Sequence, residues 1–105
     1  MSWHTVIAEN QLASGERAFY DLDDGTRVAV FNLNGEYAAI ESMCTHAMFE
    51  LDDAPIEGDN IICPLHGAKF CIKTGKVCSA PAYEDLKTYP VRVFEGMIQI
   101  QDENE

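Results

Sequence analysis

The chain has 105 residues, 47% of them apolar and 24% charged, the balance of one ordinary globular domain with no room for a second. Seven Lys and Arg stand against 18 Asp and Glu, a net charge of −11, so phosphate backbones and anionic bilayers repel it and no nucleic-acid or membrane partner is expected. No apolar run approaches a membrane span, and Met1-Ser2-Trp3-His4 lacks a basic stretch leading into an apolar one; a signal peptide is not expected and the cytoplasm is.

Turn residues recur about every eight to twelve positions, the rhythm of short strands. A short helical turn is expected around Glu9 to Leu12. Arg17 to Leu22 reads as a strand closed by Asp23-Asp24-Gly25. Arg27 to Leu33 is rich in β-branched and aromatic residues. Asn34-Gly35 follows as a hairpin turn with both residues at positive φ, and Glu36 to Ile40 returns. Asn60-Ile61-Ile62 leads into Cys63, and Lys69 to Lys73 precedes the turn Thr74-Gly75. Thr88 to Phe94 reads as a strand whose first residues Pro90 confines to a sheet edge, and Met97 to Gln101 returns after Glu95-Gly96. The class is all-β.

Residues 41–82 differ in texture. They hold all four cysteines, two of the three histidines and three of the four prolines, and few apolar alternations. In a reducing compartment such cysteines are metal ligands or free thiols rather than structural disulfides. Cys44-Thr45-His46 and Cys63-Pro64-Leu65-His66 give C-x-H and C-x-x-H, separated by sixteen residues. Each half offers one thiolate and one imidazole, which suits zinc or an iron–sulfur centre. A Cys₂His₂ zinc site is the first rival, and would make the chain a structural binding module. Zinc motifs normally group like ligands, however, whereas here the types alternate between two loops. Two sulfide-bridged irons need two ligands each, which two mixed loops can supply.

Cys44-Thr45-His46, Cys63-Pro64-Leu65-His66-Gly67, Phe70, Thr74-Gly75 and the stretch from Leu51 through Gly58-Asp59 to Ile62 resemble the Rieske-type [2Fe–2S] family. The resemblance implies an antiparallel β-sandwich with a smaller inserted cluster-binding unit. One Rieske domain would span 1–105, with its basal part at 1–41 and 83–105 and its cluster-binding part at 42–82. It implies one [2Fe–2S] cluster, Cys44 and Cys63 on the inner iron and His46 and His66 on the outer one. The loop disulfide of the high-potential branch is missing, since Phe49 and Leu65 occupy its positions. Ala68 and Phe70 replace that branch's hydroxyl donors, which implies a low potential. Only His4 remains after the ligands are assigned, so no mononuclear iron site can be built and no catalytic residue is expected. The pattern is similar to ferredoxin components of bacterial aromatic-ring-hydroxylating dioxygenases. It implies a monomeric carrier taking one electron from an NAD(P)H-dependent flavoprotein reductase to the Rieske centre of a terminal oxygenase. The alternative is the small subunit of an NAD(P)H nitrite reductase.

The remaining signals carry less. Cys71 and Cys78 are expected as buried free thiols, a disulfide across Thr74-Gly75 being the alternative. His4 is expected at the surface or partly packed. Lys69, Lys73 and Lys76 form a solvated face or an orientation patch, and Met48, Phe49, Leu65 and Pro81 shield the cluster from water or form an apolar rim for docking. Asp52-Asp53 and Glu84-Asp85 are expected as solvated turns.

Overall fold

Residues 2–23, 25–44, 49–50, 54–63, 69–79 and 85–102 are described by a computed structural model. In chain order they form β1 (Ser2–Ala8), β2 (Arg17–Asp21), β3 (Arg27–Leu33), β4 (Glu36–Glu41), β5 (Met43–Cys44), β6 (Phe49–Glu50) and β7 (Ile56–Glu57). Then come β8 (Asn60–Ile62), β9 (Lys69–Cys71), β10 (Val77–Ser79), β11 (Thr88–Tyr89), β12 (Val91–Phe94) and β13 (Met97–Asp102). The expected helical turn is a 3-10 turn at Glu9–Gln11. All pairings are antiparallel. The sheets run β1-β13-β12, β11-β4-β3-β2, β10-β9-β8-β7 and the small hairpin β5-β6.

The sequence of β3 explains the layering. From Val28 to Leu33 every residue is buried, so both faces of the strand are covered. Ala29, Phe31 and Leu33 enter one core with Ile40, Ala54, Ile61, Cys63, Phe70, Ile72 and Leu86. Val28 and Val30, on the opposite face, enter a second with Leu12, Leu22, Ala39, Tyr89, Ile98 and Ile100. The central sheet therefore lies between β1-β13-β12 on one side and β7–β10 on the other. Each fully buried Val, Ile or Phe contributes roughly 1.5–3 kcal/mol, so both cores matter. Asn32, buried in β3, has both ends of its amide occupied: Nδ2 donates to Leu12 O and Oδ1 accepts from Gly35 N, each at 2.8 Å. That second bond closes the Asn34-Gly35 turn, whose φ values of 55° and 92° are the expected pair of positive angles.

Two strand expectations need correction. Thr88 to Phe94 is not one strand, because the chain changes sheet at Pro90. Thr88 and Tyr89 pair with Ile40 and Ala39 of β4, whereas Val91 to Phe94 pair with β13. Proline has no N–H to continue the ladder, and its own carbonyl accepts from Gln101 N at 3.0 Å, which starts the second pairing. The N-terminal residues, read only for their helical turn, form β1 along β13 from Ser2↔Asp102 to Ala8↔Met97. A register shift between Thr5 and Ile7 interrupts the alternation that would have marked a strand.

Three contacts tie the layers together. Arg17 Nη2 donates to Ala54 O at 2.7 Å while its guanidinium lies over the Phe31 ring. Lys73 Nζ reaches Glu36 at 3.0 Å and Asp59 at 3.6 Å, joining the turn after β9 to the β3–β4 hairpin. Gly75 is the third. It donates to Cys71 O and accepts from Leu86 N, both at 2.7 Å, so the β9–β10 turn rests directly on the Leu86 backbone.

At φ +74°, Gly75 adopts a conformation that L side chains avoid, and an added Cβ would overlap the Leu86 carbonyl oxygen and the Thr88 methyl. Gly25 has a similar φ of +90° with open space around it. Gly25→Ala is expected to lose about 1–3 kcal/mol from backbone strain alone. Gly75→Ala should lose clearly more, read as the difference in urea midpoints; equal losses would remove the close approach from the argument.

Candidate metal centre

Each ligand motif begins at the root of a hairpin loop. Cys44 ends β5 and is the direct partner of Phe49 in β6. The four residues between them, His46 included, lie outside the described residues. Ile62 pairs with Lys69, so Cys63 opens the connection between β8 and β9. His66 and Ala68 also fall outside the described residues, as do Met48, Leu65, Pro81, Asp52, Asp53 and Glu84. Among the described residues no three His, Cys, Asp or Glu side chains gather as a metal site.

Cys63 is the ligand candidate whose surroundings are seen. It is free, fully buried, and packed among Ala54, Ile61 and Phe70 of the core shared with β3. A thiol without a disulfide partner, placed directly after a strand and shielded from water, suits a structural thiolate ligand. Phe70, fully buried in the same core, presents only hydrocarbon there. Ser42 adds a second sign. It is 1% exposed and held by its N–H to Arg27 O at 2.8 Å, yet its Oγ has no hydrogen-bond partner among the described residues. A buried hydroxyl left so costs about 1–3 kcal/mol. It stands two residues before Cys44, and a sulfide-bearing cluster in that loop brings acceptors of the kind it lacks. The donor set of two thiols and two imidazoles, with the buried Cys63 and the unanswered hydroxyl, fits a [2Fe–2S] group.

Several flanking expectations change. Cys78 is exposed and Cys71 half-buried, not the packed hydrophobes expected, because both lie away from the Phe70 core. Both are free, so they form no disulfide. His4 is partly packed, within what was expected, with its Nδ1 3.3 Å from the Tyr20 hydroxyl and the rings 5.3 Å apart. Lys69 pairs with Glu57 at 3.7 Å and Lys73 with Glu36 and Asp59, so carboxylates of the same surface answer two cations of the supposed orientation patch. The Glu36 contact also holds the Lys73 ammonium above its usual pKa. Asp85 is exposed, as expected, and its Oδ1 accepts from Val77 N at 2.9 Å. Sequence reasoning missed Ser42 and the Arg17 bond to Ala54, since neither has a motif.

The pattern of the Rieske [2Fe-2S] domain matches residues 2–90. The chain belongs to the Rieske [2Fe–2S] family. It is 45% identical over 94 residues to the biphenyl dioxygenase ferredoxin subunit of Pseudomonas sp. (strain KKS102), covering 89% of this chain and 85% of that one. Its fold is similar to the Sphingomonas yanoikuyae B1 ferredoxin, with a TM-score of 0.87, 30% identity, and coverage of 96% and 99%. It also matches a chain in the complex of reduced oxygenase and oxidized ferredoxin of carbazole 1,9a-dioxygenase, with a TM-score of 0.88, 30% identity, and coverage of 93% and 91%. This Rieske protein is all-β, carries one [2Fe–2S] cluster, and is a ferredoxin of the dioxygenase-subunit type, an electron-transfer component rather than the oxygenase. Among the described residues no helix is long and apolar enough to cross a membrane.

Replacing Ser42 tests the fit. Ser42→Ala is expected to leave the stability of the cluster-free chain unchanged or slightly raised, since an unpaired oxygen is removed. In the loaded protein it should lower the midpoint potential, and Ser42→Thr should keep it. A potential unmoved by Ser42→Ala would mean the hydroxyl does not face the cluster.

Proposed function

We propose that Cys44 and Cys63 bind the inner iron and His46 and His66 the outer iron of the Rieske cluster, and that the protein carries single electrons from an NAD(P)H-dependent flavoprotein reductase to the Rieske centre of a terminal aromatic-ring dioxygenase. The observation that carries the reading is the placement of Cys63: a free, fully buried thiol at the root of the β8–β9 loop, with Cys44 at the root of the β5–β6 loop. The cluster supplies a one-electron couple. Everything else is the work of the chain. The buried Cys63 keeps one side of the site dry, Phe70 excludes water beside it, and the histidine ends of the motifs are assigned to the partner-facing side. We assign one domain to 1–105, with basal parts at 1–41 and 83–105 and a cluster-binding part at 42–82. The carrier acts as a cytoplasmic monomer. The oxygenase assignment is supported by the relative named for biphenyl dioxygenase and by the carbazole dioxygenase complex.

Hydrogen bonds to the sulfurs stabilise the extra negative charge of the reduced form, and Phe70 offers none. The potential is expected at the low end of the roughly −150 to +300 mV range of Rieske centres, below zero near neutral pH. Phe70→Tyr should raise it where the new hydroxyl reaches a sulfur, and protein-film voltammetry reads both values. The loaded protein should hold two irons and two acid-labile sulfides. His66→Cys should change its electron paramagnetic resonance spectrum, and Cys71→Ser should not. One zinc per chain would refute the ligand assignment.

With a net charge of −11, encounter with a reductase that presents a basic surface is steered over long range. Stopped-flow electron transfer should slow as salt rises to physiological strength, where the screening length falls to about 8 Å. A rate indifferent to salt would remove steering from the reading.

A further inference from the structure

The outer face of the β8–β9–β10 sheet carries two thiols that the cluster does not use. Ile61, Phe70 and Val77 are successive cross-strand partners on its inner face, packed in or against the core. Side chains alternate along a strand, so Cys71 and its direct partner Asn60 point outward. Cys78 sits where the register of β10 against β9 shifts, between Val77 and Ser79. Its Sγ lies 3.8 Å from Asn60 Oδ1 and 3.6 Å from Lys76 O. That same Lys76 carbonyl accepts the backbone N–H of Cys71 at 2.8 Å. The Asn60 side chain and the Lys76 carbonyl that meet Cys78 Sγ belong to the two residues paired with the Cys71 backbone, so Cys78 is a diagonal neighbour of Cys71 on this face.

The two thiols differ in character. Cys71 is half-buried, and a hydrogen bond from the Thr74 hydroxyl is the chief cause of a pKa below the ordinary thiol value. The backbone of Thr74 and Lys73 adds to this, while burial and the Asp59 charge oppose it. Cys78 is exposed and donates to neutral acceptors. One thiol has its pKa lowered by a hydrogen bond, and the other is exposed on the same face. In a reducing compartment such pairs are transient and redox-sensing rather than structural.

We propose that Cys71 and Cys78 form a dithiol that hydrogen peroxide oxidises to an intramolecular disulfide, independently of the cluster ligands. The Cys71 thiolate attacks one peroxide oxygen. An S–O bond forms, the O–O bond breaks, hydroxide leaves and takes a proton, and Cys71 becomes a sulfenic acid. Cys78 then attacks that sulfur, so the S–S bond forms as the S–O bond breaks and water departs. Two thiols and one peroxide give one disulfide and two waters; the sulfurs lose two electrons and the peroxide gains them.

The chain is well suited to the test, because Lys69, Lys73, Lys76 and Lys87 place the two cysteines in different tryptic peptides, Phe70–Lys73 and Val77–Lys87. The cluster-loaded protein is treated with one equivalent of hydrogen peroxide, unfolded with iodoacetamide, digested and weighed. The expected product is the two peptides joined, two hydrogens lighter than their sum, while the visible absorption of the cluster persists. Cys78→Ser should leave Cys71 as a sulfenic acid that dimedone traps on the Phe70–Lys73 peptide. Cys71→Ser should slow oxidation of Cys78 by about tenfold or more, because the sulfenic acid that Cys78 resolves can no longer form. Thr74→Val should slow alkylation of Cys71 at neutral pH, and Thr74→Ser should restore it. Cross-links only between chains, or a joined peptide only after the absorption has bleached, would overturn the proposal.

Discussion

A strand buried on both faces is the constraint from which the rest of this structure follows. β3 has no face to give to water, so it must be covered twice, by the terminal sheet on one side and by the β7–β10 sheet on the other. The alternation of Phe31 with Val28 and Val30 divides its side chains between two cores. Cys63 belongs to the first, which means that a proposed iron ligand is packed against the central strand. The ligand's position is then set by apolar packing before any metal arrives, which lowers the ordering a cluster would otherwise have to bring about.

The contacts that hold the β7–β10 sheet in place are of unequal strength. Exposed ion pairs such as Lys69 with Glu57 are worth little, typically under about 1 kcal/mol. Lys73 gains from two acidic partners, but it too is in contact with solvent. The Arg17 bond to the carbonyl of buried Ala54 and the seat of Gly75 on Leu86 act where backbone meets backbone or core. They have more to do with the placement of the ligand loops than the charges do.

What could be read from the residues alone was whatever local chemistry decides. Arg27 to Leu33 and the Asn34-Gly35 turn were legible because β-branched runs and positive φ have compositional signatures. The C-x-H and C-x-x-H spacings were visible because donor type and spacing are chemistry written directly in the chain, and their role as ligands is the proposal made above. Strands of two or three residues, such as β5, β6, β7 and β10, are too short to show a period, and β1 was hidden by its bulge. Pro90 was placed at an edge correctly, yet its change of sheet depends on β13, which lies beyond any local window. Cys78 was misread because its exposure comes from a register shift, and Gly75 looked like an ordinary turn glycine because Leu86 is brought to it only by the fold. His46, His66 and Ala68 lie outside the described residues, and the roles proposed for the two histidines come from their motifs.

The pairing of β1 with β13, from Ser2↔Asp102 onward, has a consequence for biogenesis. These partners are among the most distant in the chain, so the contact is costly in loop entropy and late in any folding sequence. During synthesis the first strand must wait on the ribosome for the last one, and both cysteine motifs emerge while the second core still lacks Ile98 and Ile100. For that interval the thiols and imidazoles belong to a nascent chain whose central strand is not yet covered on both faces. Iron delivery that waits for the terminal sheet to close would meet a pre-shaped site; delivery before it would meet an open one.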